Sequence, residues 1–300
     1  MGDSHDNNQE GHENGPGRVF SFAGMNITAS TRLLALFGHP AGHSLSPQMH
    51  NAAFGQTGQD YCYLAIDVKP EDLPDAVRAV RALGIRGVNI TVPHKEKVIP
   101  FLDEVDKEAA FIGAVNTVVN DGGRLKGYNT DGRGFIQSLA EEKIDWEGKN
   151  ILICGAGGAS RAVSYYLSEK ARTLRIFDLD KVKLEKLAGD LKRIRNNVET
   201  TGDVRNLEGV DILINATPLG LKETDPVPAD PRKLPPGSVA GDLIYRQTPF
   251  LREARKAGLK TFHGLGMLLW QGVFAQELWT GVRPPHEVMR EALLNGMQGH

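Results

Sequence analysis

An apolar run, Ile151-Leu152-Ile153-Cys154, breaks at Gly155-Ala156-Gly157-Gly158-Ala159-Ser160 and gives way to a helical pattern over Ala159–Glu169. Strand, glycine turn and helix in that order form the context that a dinucleotide-binding loop requires. Gly155 permits the tight turn. Gly157 lets backbone N–H groups approach a pyrophosphate at the helix N-terminus, where the helix dipole favours anions. Ser160 replaces the third glycine of the usual pattern and is small enough for close packing. A purely structural glycine turn is the competing reading. The position between strand and helix, with Asp178 at the end of the next strand, favours cofactor contacts from Gly155, Ala156, Gly157, Gly158 and Ala159.

The rest of the chain repeats the alternation. Strand-like runs are predicted at Leu33–Phe37, Tyr61–Val68 and Gly87–Thr91, and a hairpin turns at Asp121-Gly122-Gly123. Helices are predicted from Pro47 to about Thr57, from Pro70 to Gly84 on the spacing of Leu73, Val77, Val80 and Leu83, and from a Lys-rich start after Pro93. A second series follows: helix Gly132–Glu142, strand Leu174–Asp178, helix Lys181–Arg195, strand Asp211–Ala216, strand Val239–Ile244, helix Pro249–Ala257, strand Lys260–His263 and a long apolar helix Gly266–Gly281. Such alternation predicts an α/β protein with parallel sheets covered on both faces. The stretch from Pro218 to Gly237 exceeds ordinary connection lengths and is read as a mobile or functional loop.

Composition excludes several classes. The 300 residues suffice for two domains, and the formal charge of −2 without a basic block gives no nucleic-acid footprint. No apolar run approaches the roughly 20 residues of a membrane span. Cys62 and Cys154 are the two cysteines, too few for a disulfide framework or a zinc ligand set, so no metal is expected and a reducing cytoplasm is. Residues 1–17 hold Asp3, Asp6, Glu10 and Glu13 with no Lys or Arg. They lack the basic flank and apolar stretch of a secretory signal, and Asp6 spoils a myristoylation motif. His5 and His12 fall in what reads as a solvated tail.

Asp178 lies 23 residues beyond Gly155, where a carboxylate can accept hydrogen bonds from the adenosine ribose of NAD and repel the added phosphate of NADP. Both Asp178 and Asp180 could instead cap the helix starting at Lys181. Ribose binding is assigned to Asp178 and capping to Asp180. Arg161, Lys181 and Lys183 keep NADP open, since each could meet a phosphate.

Several segments then occur in one order: His43-Ser44-Leu45-Ser46-Pro47, Asn89-Ile90-Thr91-Val92-Pro93-His94-Lys95, Gly113-Ala114-Val115-Asn116-Thr117, Asn129-Thr130-Asp131-Gly132, Asn215-Ala216-Thr217-Pro218 and Gly266-Met267-Leu268-Leu269-Trp270-Gln271. The set resembles the shikimate dehydrogenase family over about residues 32–290. The resemblance implies a discontinuous architecture: a tail over 1–29, a substrate-binding catalytic domain from 30–130 and 265–300, and a Rossmann-like dinucleotide domain over 131–264, with the site in the cleft between them. It implies interconversion of 3-dehydroshikimate and shikimate with a nicotinamide cofactor. Lys95 would act as acid/base or alkoxide-stabilising donor, and Asp131 would orient substrate and Lys95. Ser44, Ser46, Asn89, Thr91, Asn116, Gln271 and Tyr245 would bind substrate, and Thr217 would join the cofactor site.

The residues can be read without the resemblance. A small polyhydroxy carboxylate needs many short hydrogen-bond partners. Ser44 and Ser46 could offer hydroxyls to a carboxylate or cap the helix at Pro47. Asn89, Thr91 and Asn116 could face a cleft or cap turns. Gln271, among apolar neighbours, needs a partner, which is either substrate or core backbone. Lys95 could be a solvated lysine, Tyr245 ordinary packing, and His39 and His43 are read as structural. The family's NADP-using members usually carry Asn-Arg-Thr-like residues where this chain has Asp178-Leu179-Asp180, so NAD is expected ahead of NADP. NAD use makes a quinate or dual-substrate dehydrogenase the alternative, and a catalytically silent binding homologue the remoter one. A monomer or homodimer is expected.

Overall fold

The computed structural model describes residues 27–298, so nearly all of the expected tail over 1–29, with His5 and His12, lies outside the described residues. Two six-stranded sheets carry the fold. The first comprises β1 (Arg32–Gly38), β2 (Tyr61–Asp67), β3 (Gly87–Ile90), β4 (Glu104–Val105), β5 (Thr117–Asp121) and β6 (Arg124–Tyr128) in the order β2-β1-β3-β5-β6-β4. Helices α1 (Ser46–Thr57), α2 (Leu73–Ala82) and α3 (Lys107–Ile112) connect its strands, and α4 (Asp131–Glu141) leads out of it. The second sheet is formed by β7 (Asn150–Cys154), β8 (Thr173–Phe177), β9 (Val198–Thr200), β10 (Ile212–Asn215), β11 (Val239–Asp242) and β12 (Lys260–His263) in the order β12-β11-β10-β7-β8-β9. Its crossovers include α5 (Gly158–Lys170), α6 (Lys181–Lys192) and α7 (Pro249–Lys256), and the chain ends in α8 (Leu265–Thr280) and α9 (His286–Gln298).

The second sheet is parallel throughout. Its central strands β7 and β10 are buried on both faces, which is why they read as continuous apolar runs. Ile151 and Ile153 pack with Val163 and Leu167 of α5 and with Leu184, Leu187 and Leu191 of α6. Their neighbours Leu152 and Cys154 face Phe250 and Leu251 of α7. In the first sheet β1 pairs parallel with β2 and β3, while β3–β5 and β5–β6 are antiparallel, the second of these across the hairpin expected at Asp121-Gly122-Gly123. A two-residue turn can only join antiparallel strands.

Chain order reverses between β1 and β3 in the first sheet and between β7 and β10 in the second. Such switch points open a crevice at the carboxyl ends of the strands. The C-terminal helices return to the first sheet. Leu269 and Val273 of α8 and Met289 and Leu293 of α9 pack on Met49 and Ala53 of α1. The Trp279 indole of α8 donates to the Val118 carbonyl of β5 at 2.9 Å.

The Lys-rich helix expected after Pro93 does not form. Residues 92–98 make turns and a 3₁₀ segment follows at Ile99–Phe101. Pro100 leaves no room for an amphipathic helix, and the Lys95 carbonyl accepts from Val115 N–H at 2.8 Å instead of from a helical turn. The Pro218–Gly237 connection contains only the 3₁₀ turn Pro231–Lys233. Gly87 is where α8 meets the sheet. A Cβ there would lie 2.6 Å from the Val118 carbonyl and against the Trp279 ring. Gly87→Ala is therefore expected to destabilise by about 1–3 kcal/mol through overpacking, seen as a lower thermal midpoint; an unchanged midpoint would contradict this packing.

Candidate active site

A cavity of about 360 Å³ opens where the carboxyl ends of both sheets meet α8. Ser44, Ser46, Asn89, Thr91, Lys95, Asn116, Asp131, Tyr245 and Gln271, separated by as many as 227 positions in sequence, all line it. The topology accounts for the convergence. The segment after β1 delivers the serines, the end of β3 delivers Asn89, Thr91 and Lys95, and the start of α4 delivers Asp131. The loop after β11 delivers Tyr245, and α8 closes the cavity with Gln271.

Lys95 Nζ lies 2.6 Å from Asp131 Oδ2. The carboxylate's other oxygen accepts from Asn116 Nδ2 at 2.8 Å, and Asp131 occupies the first turn of α4, where the helix dipole favours an anion. Asn116 is fixed in turn: its Oδ1 accepts from Thr130 N–H at 2.9 Å, and the Thr130 hydroxyl reaches the Gln271 carbonyl at 3.0 Å. The solvated reading of Lys95 is thereby set aside. Its side chain is 23% exposed and Asp131 only 7%, so the pair sits largely out of water while keeping one open side toward the cavity.

The polar walls divide between cavity and scaffold. Ser44 Oγ accepts weakly from Ser46 N–H at 3.3 Å, a local turn contact, and both serines still face the cavity. Gln271 Nε2 donates to the Leu268 carbonyl at 2.8 Å, so the backbone partner considered from sequence is present although the residue borders the cavity. His39 is structural, its Nδ1 lying 2.8 Å from Asp67. His43 stands in the cavity wall, next to the serine segment, along with Leu243, Met267 and Leu268, whose apolar character gave no sequence signal.

Toward the second sheet, Gly155 has φ +115° and a Cβ on it would lie 2.7 Å from the Ala216 carbonyl, so only glycine fits between the ends of β7 and β10. Nothing lies within 4 Å of where side chains would project from Gly157 and Gly158, leaving open space at the start of α5. Ser160 hydroxyl donates to the Gly155 carbonyl at 2.6 Å and braces the turn. Cys154 is buried and its thiol is pushed up to about 12, mainly by desolvation with help from the nearby Asp178 charge, in keeping with an inert core thiol.

Asp180 caps α6 as expected, accepting from Val182 and Lys183 N–H. Asp178 accepts from Ala156 N–H at 2.6 Å and from Asp180 N–H at 2.8 Å, tying the glycine turn to the end of β8. Of the cations that kept a phosphate open, Arg161 is committed elsewhere: it donates to the Ile112 carbonyl at 2.6 Å and pairs with Asp190 at 2.8 Å. Lys183 pairs with Asp180 at 3.3 Å, while Lys181 is exposed.

A buried cluster missed from sequence lies beneath the loops that follow β10 and β11. The Asp242 carboxylate accepts from Thr248 hydroxyl at 2.7 Å, Ile244 N–H at 3.0 Å and Asn215 Nδ2 at 3.1 Å. Burial raises its pKa and these bonds oppose the rise. Asn215 Oδ1 meanwhile accepts from the Thr217 hydroxyl at 2.7 Å, so the Thr217 and Tyr245 loops are braced through one carboxylate. Elsewhere Glu141, His286 and Glu287 bring ligand atoms within 4.8 Å of one another, but the Arg290 guanidinium already lies against both carboxylates. Among the described residues no helix is long and apolar enough to cross a membrane.

Residues 36–118 match the family described as shikimate dehydrogenase substrate binding domain, and residues 264–294 match shikimate 5'-dehydrogenase C-terminal domain. The shikimate dehydrogenase (NADP(+)) of Desulforamulus reducens is 46% identical over 282 residues, covering 89% of this chain and 96% of that protein. A crystal structure of a shikimate dehydrogenase in complex with NADP+ superposes with a TM-score of 0.87 at 43% identity, covering 91% of this chain and 98% of that one. A quinate dehydrogenase from Corynebacterium glutamicum in complex with NAD gives 0.82 at 34% identity, covering 88% and 99%.

The strain and contact at the glycine turn make a direct test. Gly155→Ala is expected to weaken dinucleotide binding at least about tenfold, since a side chain in this region of φ is unfavourable and the carbonyl of Ala216 must move. Titration of the cofactor by fluorescence measures this, and unaltered affinity would contradict the placement.

Proposed function

The chain belongs to the shikimate dehydrogenase family, and from that premise we propose that it interconverts 3-dehydroshikimate and shikimate in this cavity, using Lys95 and Asp131. The observation that carries the reading is the 2.6 Å Lys95–Asp131 contact, formed by two elements remote in sequence on the wall of a cavity ringed by short hydrogen-bonding side chains. Residues 30–130 and 265–300 serve as the substrate-binding unit and 131–264 as the dinucleotide unit. Ser44 and Ser46 receive the carboxylate, and Asn89, Thr91, Asn116, Tyr245 and Gln271 surround the ring. In ketone reduction the Lys95 ammonium gives a proton to the carbonyl oxygen. In alcohol oxidation the neutral amine takes the hydroxyl proton. Asp131, locked by Asn116, holds Lys95 on line and orients the substrate hydroxyl.

The open turn at Gly155–Ala159 and the N-terminus of α5 fit a dinucleotide, and Thr217 borders it from β10. When bound, the nicotinamide donates or accepts the hydride. The Desulforamulus relative carries NADP(+) in its name. At the ribose position this chain presents Asp178 and Asp180, an exposed Leu179, and an Arg161 already paired with Asp190. From those groups we infer a preference for NAD, against which stand the curated relatives, named NADP(+) enzymes, and the 43%-identical structure in complex with NADP+. The carboxylate at 178 and the likeness to the NAD-bound quinate dehydrogenase also give quinate a claim as second substrate.

An initial-rate matrix of shikimate and quinate with NAD and NADP tests the proposal. The expected result is the highest kcat/KM for shikimate with NAD; no turnover of shikimate with either cofactor would sink it. Lys95→Ala is expected to lower kcat by about 10²–10⁴-fold while leaving cofactor affinity nearly unchanged. Equal losses in both would contradict the role. Asp178→Ser is expected to raise the KM for NAD by about tenfold, the cost of one charge-assisted hydrogen bond, without a matching rise for NADP.

A further inference from the structure

We propose that Tyr63, a residue outside the cavity, is the positioning residue that fixes Asn89 as a pure hydrogen-bond acceptor toward the substrate. The inference rests on the reading of the cavity as the substrate site. Tyr63 sits on β2 and is fully buried. Its hydroxyl donates to Asn89 Oδ1 at 2.6 Å. Asn89 spends both Nδ2 protons on the scaffold, one on the Asn116 carbonyl at 3.0 Å and one on the Thr117 hydroxyl at 3.1 Å. A flipped amide would set Oδ1 against the Asn116 carbonyl, two acceptors face to face, so the orientation is determined.

An amide oxygen has two lone pairs and Tyr63 takes one. What Asn89 offers the cavity is a single remaining acceptor. It can therefore recognise a ring hydroxyl that donates, and it disfavours a carboxylate or ketone oxygen at the same point. A substrate bearing one carboxylate, one reacting carbonyl and other hydroxyls is thereby forced to place a hydroxyl at Asn89, which leaves the carboxylate to the serine side.

Tyr63 is held rigidly enough to do this. Its backbone N–H donates to Asn51 Oδ1 at 2.8 Å and its carbonyl accepts from Asn51 Nδ2 at 2.9 Å, which docks β2 onto α1. The ring stacks on His50 with centroids 4.4 Å apart and 21° between planes. Trp279 closes the same aromatic group. Replacing the hydroxyl alone keeps this packing, so Tyr63→Phe isolates the hydrogen bond.

The test compares wild type and Tyr63→Phe by initial rates, varying shikimate at saturating cofactor and then the reverse. The KM for shikimate is expected to rise about tenfold, the effect of releasing one buried polar contact, with kcat largely kept and the cofactor KM unchanged. An unchanged shikimate KM, or shikimate and cofactor KM rising together as a general loosening would produce, would overturn the role. A second measurement needs no variant. In wild-type protein labelled on asparagine side chains, both Nδ2 protons of Asn89 should stay protected from exchange with and without shikimate. An amide proton of Asn89 that is free before binding, or that transfers to the ligand on binding, would overturn the acceptor assignment. Wild-type protein inactive on shikimate would fell the substrate reading. Normal wild-type turnover with an unaltered Tyr63→Phe profile would fell the positioning role alone.

Discussion

The ion pair between Lys95 and Asp131 is the constraint around which the molecule is arranged. Charges removed from water cost several kcal/mol each unless paired and hydrogen-bonded, and breaking such a pair leaves the survivor uncompensated. Here the carboxylate has the ammonium, the Asn116 amide and the α4 N-terminus. That set can be assembled only if the end of β3, the approach to β5 and the start of α4 arrive at one point. Thr130 then fastens α4 to the Gln271 carbonyl of α8, so the returning C-terminal helix is part of the same framework. The cavity exists because these elements leave one side of the pair uncovered.

The two sheets meet this cavity by the same topological device. Each reverses strand order within the sheet, between β1 and β3 in the first and between β10 and β7 in the second. The first sheet supplies a paired charge and a set of short polar side chains. The second supplies open backbone at Gly157 and Gly158 and a buried carboxylate, Asp242, that braces two loops. One half of the site is rich in Ser, Asn and Thr side chains, as the proposed substrate requires, and the other in Gly and Ala, as main-chain contact with the proposed dinucleotide requires. The carboxylates of Asp178 and Asp180 lie past the end of β8, tied to the glycine turn and to the start of α6.

Much of this was legible in the sequence. The central strands β7 and β10 of the second sheet are apolar runs buried on both faces, β12 falls on its expected bounds at Lys260–His263, and the glycine turn lies between strand and helix as read. The site residues were readable because each belongs to a short ordered segment, and their common cavity follows from strand ends. Shorter elements escaped. β4 has two residues, β9 three and α3 six, too few for a period to show. The helix expected after Pro93 fails because Lys95 is held by tertiary pairing through Val115 and Pro100 follows closely. Tyr63 and Asp242 were invisible for a different reason. A tyrosine in an apolar strand reads as packing, and nothing local in Tyr61-Cys62-Tyr63-Leu64 indicates that one hydroxyl will meet an asparagine 26 positions away.

The central claim is geometric: Lys95 and Asp131 act on one substrate oxygen on the side of the cavity facing the glycine turn. A crystal structure of the ternary complex with shikimate and the oxidised dinucleotide measures it directly. The account predicts Lys95 Nζ and an Asp131 carboxylate oxygen both within about 2.6–3.2 Å of the one reacting hydroxyl of the ring, with the substrate carboxylate at Ser44 and Ser46. A ring bound the other way round, its carboxylate on Lys95 or its reacting carbon turned from Gly155–Gly157, would contradict it.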